Sequence, residues 1–283
     1  MELKGDCVYC PWLFLLAFAG AVGAQLAPRP GMVGDFEVHT AFASKFLSPT
    51  RNLIVFLPAG YREGSRRYPV LYMHDGQNLF DPATGFAGQE WRLDEVASEL
   101  IAAGKLPPMI IVGIYNTRGR MQEYTSGMGD KPPLYARLVV EEVMPFIDAH
   151  YRTLRGPENT GLGGSSLGAL ISLAIGLKYP QVFGKLVVMS PSVFWDSKVI
   201  LKEVSQFEGQ ARPKIWLDIG TKEGSNPAST LENTRELRDA LAAKGWKLGA
   251  DLRHVEAEGA EHNERAWSQR IGPALEFLFG QGK

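Results

Sequence analysis

The sequence predicts an α/β fold: a largely parallel central sheet, antiparallel strands at its N-terminal side, and helices on both faces. Three observations predict it. Short, continuously apolar runs recur at residues 69–73, 109–114, 185–189 and 215–219, and such runs suit strands buried on both faces. Segments with apolar residues at helical spacing lie between them. Two strand-like segments, 36–47 and 52–57, come before the alternation begins, joined by a turn at Ser48, Pro49 and Thr50. An opening set of strands followed by strand–helix alternation argues for crossover connections around one sheet.

The elements follow in order. After a polar loop at 61–67, residues 69–73 form the first fully buried strand. Trp91, Val96, Leu100 and Ile101 mark a helix over 91–103, and 109–114 is the next strand. Leu138, Val139, Val143, Phe146 and Ile147 form the apolar stripe of a helix over 135–151. A short strand at 160–163 runs into a helix ending at 179. Then come a strand at 185–189, a helix at 197–207, a strand at 215–219, a helix at 231–243, a strand at 252–255 and a closing helix at 264–279. No internal repeat or low-complexity segment breaks this run, so one catalytic domain is expected over 35–283.

Composition narrows the partners. The formal net charge is -1, with 30 basic and 31 acidic residues and no block of like charge, so nucleic acid finds no electrostatic footprint. Residues 1–24 read as a signal peptide: Lys4 precedes the apolar run 12–19, and Val22 and Ala24 are the small residues before a cut after Ala24. The run is too short to span a bilayer. A secreted or periplasmic protein with no stable membrane partner after cleavage is therefore expected. Residues 25–34, with Pro28, Pro30, Gly31 and Gly34, read as a linker. Cys7 and Cys10 both lie inside the leader without a second pair to complete a zinc site, so the mature chain is expected to hold no disulfide.

Gly164-Ser165-Ser166-Leu167-Gly168 matches the pattern of a nucleophile elbow. A serine on a tight strand-to-helix turn needs glycine two positions to either side, because larger side chains would collide there. The turn lifts the Ser166 hydroxyl out of the sheet and aims the Leu167 N–H at a developing oxyanion beside a helix N-terminus. A serine hydroxyl also needs a base, and on such sheets the partners follow in the order serine, acid, histidine. Only His254 and His262 follow Ser166. His254 lies inside a strand, whereas His262 lies in a loop after one, where open α/β sheets place their sites. Between them, Glu223 sits in the loop after strand 215–219 and is the expected acid, with Asp218, still within the strand, as the alternative.

The second oxyanion donor is expected from the turn after 69–73, as the N–H of Gly76 or Gln77. Asp75 in the same turn and Tyr124, in the loop 116–133 with Arg118 and Arg120, are candidate substrate contacts. His74, Asp75 and Asp81 lack a further ligand at matching spacing, so no metal is expected.

Taken together, these segments resemble a known family. His74-Asp75-Gly76-Gln77-Asn78-Leu79-Phe80, the elbow, Met189-Ser190-Pro191-Ser192 with Trp195, Ile219-Gly220-Thr221-Lys222-Glu223 and the His262 loop are similar, in this order, to the esterase family of the α/β-hydrolase superfamily. That family includes esterase D-like enzymes, enterochelin esterase-like hydrolases, and the feruloyl and acetyl-xylan esterases of carbohydrate esterase family one. The resemblance runs from about residue 36 to 279 and implies a cofactor-free serine esterase, with Ser166 as nucleophile and His262 as base. It places Trp195 in the acyl or leaving-group pocket. The family's acid is commonly aspartate, and Glu223 departs from that. The expected substrates are acetyl- or feruloyl-type esters of carbohydrates, or related small esters. The alternatives are acyl transfer on the same triad, or a non-catalytic carbohydrate- or siderophore-binding protein on the same scaffold.

Overall fold

The computed structural model describes residues 24–26, 31–129 and 131–280. The expected leader, up to residue 23, and both cysteines lie outside the described residues. Of the expected linker, residues 27–30 lie outside them, while Gln25 and Leu26 pair with Glu37 and Phe36.

The chain begins with β1 (Ala24–Leu26), β2 (Asp35–Phe42), β3 (Arg51–Leu57) and β4 (Val70–His74). Helix α1 (Leu93–Ala102), β5 (Ile110–Ile114) and the short α2 (Arg120–Tyr124) follow. Next are α3 (Lys131–Arg137), a π-helical segment (Leu138–Val143), α4 (Met144–His150), β6 (Thr160–Ser165) and α5 (Leu167–Lys178). The chain ends with β7 (Lys185–Met189), α6 (Trp195–Ser205), β8 (Lys214–Gly220), α7 (Pro227–Ala243), β9 (Leu252–Ala257) and α8 (Glu264–Phe279).

The strands form one sheet in the order β1-β2-β3-β5-β4-β6-β7-β8-β9. β1, β2, β3 and β5 pair antiparallel; from β5 through β4, β6, β7 and β8 to β9 every pairing is parallel. Period-two geometry divides the apolar runs between two cores. Leu53, Val55, Val70, Tyr72, Ile110, Val112, Leu186 and Leu217 face the side covered by the helices around α5. Ile54, Phe56, Leu71, Met73, Ile111, Val187 and Trp216 face the side covered by α1 and α8. Helix α5 is buried nearly all round, which explains why its sequence, Leu-Gly-Ala-Leu-Ile-Ser-Leu-Ala-Ile-Gly-Leu-Lys, shows no polar stripe.

Several boundaries differ from expectation, α7 starting at 227 rather than 231 among them, and three differ for a clear local reason. β2 ends at Phe42 rather than at residue 47, because Ala41 takes a φ of 54° and the register slips between His39 and Phe42. α1 begins at Leu93 rather than 91, because Arg92 is left-handed. The helix expected over 135–151 starts at 131 and widens to π geometry at 138–143, directly before Pro145 at the start of α4. Proline has no N–H for the carbonyl four residues back, and a widened turn accommodates that loss.

The parallel strands β4, β6, β8 and β9 all run the same way, so the loops after their C-terminal ends gather on one edge of the sheet. Residues 74–78, the Ser166 elbow, the Glu223 loop and the His262 loop are those loops.

Candidate active site

The elbow is as tight as its glycines imply. Ser166 sits at φ 58°, ψ −123°, between the end of β6 and the first residue of α5. A Cβ on Gly164 would lie 3.0 Å from the Gly168 carbonyl carbon, and one on Gly168 would lie 3.2 Å from Asp75 Oδ2. Ser166 N–H donates to Met189 O at 3.0 Å, which ties the turn to β7. A left-handed serine stores strain that the packed surroundings must hold. Its hydroxyl meets Ser192 Oγ at 3.2 Å. The Leu167 N–H is the first of α5 and has no acceptor within its own helix.

His262 Nδ1 and Glu223 Oε2 are 2.7 Å apart. Glu223 is buried, whereas the His262 side chain is 37% exposed at the cleft. The imidazole stands edge-on to Trp267, with ring centroids 5.0 Å apart. The other Glu223 oxygen accepts from Ser190 Oγ at 2.6 Å and from Gly220 N–H at 2.7 Å. Ser190 Oγ in turn accepts from Trp267 Nε1 at 2.9 Å and from Arg270 Nη2 at 2.8 Å. Arg270 Nη2 also lies 3.4 Å from Glu223 Oε1 and 3.3 Å from Asp218 Oδ1.

Asp218 therefore stands behind Glu223 and does not meet the histidine. It accepts from Trp216 Nε1 at 2.8 Å and from Ser190 N–H at 3.3 Å. Burial pushes its pKa up to about 6, with Arg270 opposing the rise. His254 is also remote from the cleft, with Nε2 3.2 Å from Glu256.

The turn after β4 supplies the opposite wall. Asp75, left-handed at φ 56°, accepts two bonds of 2.7 Å from Arg120 and one of 2.6 Å from Asn116. His74 is buried, with Nδ1 2.8 Å from the Tyr135 hydroxyl, and burial lowers its pKa to about 3. Gln77 faces the cleft and accepts from Asn116 N–H at 3.3 Å. Gly76 does not: a Cβ there would lie 2.4 Å from the Gly113 carbonyl carbon, so this glycine serves the approach of the turn to β5.

A cleft of about 420 Å³ joins these groups: Ser166 and His262 line it together with Asp75, Gln77, Asn78, Arg120, Phe86, Glu264 and Trp267. Glu264 is buried, which raises its pKa above the usual carboxylate range. A larger groove of about 580 Å³, lined by Pro133, Ile171, Lys178 and Phe207 among others, contains neither the serine nor the histidine. Volume alone therefore points away from the chemistry. Away from the cleft, carboxylate oxygens of Glu90, Asp94 and Glu95 lie within 4.8 Å of one another, a hard-oxygen set of the kind a divalent cation takes.

Two expected substrate contacts are corrected. Tyr124 is buried under Arg120, whose guanidinium lies 5.1 Å from the ring centre. Trp195 packs against the core and donates its indole N–H to Ser126 O at 3.1 Å. Neither lines the cleft; both rings are held by tertiary contacts that sequence spacing does not reveal. Sequence reasoning missed Ser190, Trp267, Arg270, Asn78 and Glu264. Asn78 and Ser190 stand in segments that carry the family resemblance, and Arg270 left a further signal, as a charge set among Trp267, Ile271 and Ala274 on the buried stripe of α8.

The family model described as "Putative esterase" matches residues 44–278. The chain belongs to this esterase family. As an esterase it is a carboxylic-ester hydrolase. It is 30% identical to the uncharacterized protein YjcH of Bacillus subtilis over 260 residues, covering 89% of this chain and all of that one. It is 26% identical to an endo-1,4-beta-xylanase/feruloyl esterase of Xylanibacter ruminicola, over 85% of this esterase but 31% of that protein. Among solved structures it resembles a ferulic acid esterase with a TM-score of 0.68 and 20% identity, covering 86% of this chain and 97% of that one. At that identity the likeness speaks for the fold, which is of the α/β-hydrolase type.

Proposed function

We propose that the protein hydrolyses acyl esters of carbohydrates or related small esters through a Ser166–His262–Glu223 triad and an acyl-enzyme. The observation that carries this reading is the 2.7 Å contact between Glu223 and His262 Nδ1, on a histidine that shares one cleft with a serine held on a strained elbow.

Glu223 accepts the Nδ1–H and so leaves Nε2 as the basic nitrogen. Ser166 Oγ turns from Ser192 toward Nε2, gives up its proton and attacks the ester carbonyl. The carbonyl π electrons move onto oxygen, where the N–H groups of Leu167 and of Gln77 or Gly76 receive them. Collapse expels the alcohol, which takes the proton from His262. Water, deprotonated by the same histidine, then releases the acid and restores Ser166. No step in this sequence calls for a cofactor.

The acyl and alcohol preferences follow the relative whose printed name includes feruloyl esterase. In the same reading the mature enzyme acts outside the cytoplasm after cleavage following Ala24, which the intact mass of protein recovered from the host's exported fraction checks. The test of the triad is turnover of p-nitrophenyl acetate and methyl ferulate by the native protein and by Ser166→Ala. The variant should lose about 10⁴-fold or more in kcat. Near-native turnover in the variant would sink the assignment.

A further inference from the structure

Glu264 lies on the cleft wall two residues after His262, at the first position of α8, whose cap Asn263 accepts the Ala266 N–H. It is only 5% exposed. Two other charged groups of the cleft, Asp75 and Arg120, satisfy each other through two bonds of 2.7 Å. Glu264 makes no ion pair among the described residues. Its side-chain partner is Asn78, whose Nδ2 donates to Oε1 at 3.1 Å. A carboxylate can accept about four hydrogen bonds; Asn78 and the residue's own backbone N–H supply two, and the remaining capacity is left for what enters the cleft. Burial makes that capacity count, because an unmet acceptor is costly where water is scarce.

Asn78 links this carboxylate to a second feature. Its Oδ1 accepts the Phe86 N–H at 3.2 Å, and the Phe86 ring stands at the cleft rim, 72% exposed. One amide thus ties the carboxylate to the backbone of a residue whose exposed ring lines the same cleft. A ring that carries hydroxyls fits this pairing: its face lies on the phenyl ring while its edge donates to the carboxylate.

We propose that Glu264 is a specificity-determining residue that accepts a hydroxyl hydrogen from the alcohol half of the ester, so that the cleft selects leaving alcohols with a second hydroxyl beside the ester oxygen. This rests on ester hydrolysis at Ser166. A vicinal diol occurs in sugars and in catechols, and matched substrates separate the two. Cyclohexyl acetate and trans-2-acetoxycyclohexanol differ by one hydroxyl on a saturated ring; phenyl acetate and catechol monoacetate differ by one on an aromatic ring.

The experiment measures kcat and KM on all four esters for the native enzyme, Glu264→Gln and Glu264→Ala. The native enzyme should prefer the hydroxylated member of at least one pair. In both variants that preference should fall about 10-fold, mainly through KM. Preference in the saturated pair assigns the site to sugars, and preference in the aromatic pair to catechols. Equal losses on both members of a pair would mean that Glu264 only fastens the β4 turn to α8, and the proposal would be overturned. A native enzyme indifferent to the hydroxyl would overturn it too. Failure of the triad reading looks different: Ser166→Ala would then match the native protein on all four esters.

Discussion

At the residue scale, the site depends on a buried cation that touches no part of the cleft. Arg270 reaches both Asp218 and Glu223 through Nη2 and also supports Ser190, the hydroxyl that donates to Glu223. Two carboxylates this close and this buried need a compensating charge, and removing one partner of such a set costs about 3–5 kcal/mol. Arg270→Met should therefore lose stability on that order in urea unfolding, and should impair turnover more than a distant core substitution of equal cost. A loss below about 1 kcal/mol would show that Asp218 and Glu223 do not rely on this charge. Glu223 was legible in the sequence from its loop position after β8. The roles of Ser190 and Arg270 were not, because these residues meet Glu223 from 33 and 47 positions away in the chain.

At the scale of elements, the turn after β4 shows how a glycine can be required for packing in a place where chemistry was the first explanation. Gly76 faces Gly113 of β5 so closely that a single Cβ would lie 2.4 Å from backbone. β5 cannot yield without disturbing the sheet, so Gly76→Ala should shift the whole turn, Asp75 and Gln77 included. We expect a loss of about 1–3 kcal/mol from overpacking and a fall in kcat as the Gln77 N–H moves away. Parallel thermal unfolding and turnover measurements check both, and an alanine variant with native stability would contradict the close approach. Most strands and helices were legible because their apolar periodicity reports burial directly. The ends of β2 and α1 and the π segment were not, since each depends on a single residue conformation or on a proline inside a helical pattern.

At the scale of the whole molecule, the sheet hides groups whose titration bears on acid stability. His74 ends β4 in full burial, with a pKa lowered to about 3 against an ordinary 6.5. In the unfolded chain it takes up a proton as pH falls below about 6.5, whereas in the fold it stays neutral. Its contribution to stability is thus complete above that pH and is lost as pH drops toward 3. Between pH 6.5 and 4 the loss amounts to about 3 kcal/mol. His74→Asn should flatten that slope, read from urea midpoints at pH 7 and 4.5 for both proteins. An unchanged slope would mean that His74 does not stay neutral in the fold.

The sequence by itself determined the alternation of strands and helices, the elbow at Ser166, and the candidacy of His262 and Glu223. Each of these is written in local terms: periodicity, a glycine spacing set by a steric limit, and loop positions at strand ends. Only the tertiary structure decided the order β3-β5-β4-β6, the network of Ser190, Trp267, Arg270 and Asp218 behind the acid, the burial of Tyr124, the packing of Trp195 against the core, and the exposure of Phe86 on the cleft that Glu264 lines. Those features arise where residues far apart in the chain meet, and their energies come from desolvation and packing, which no spacing along the chain records.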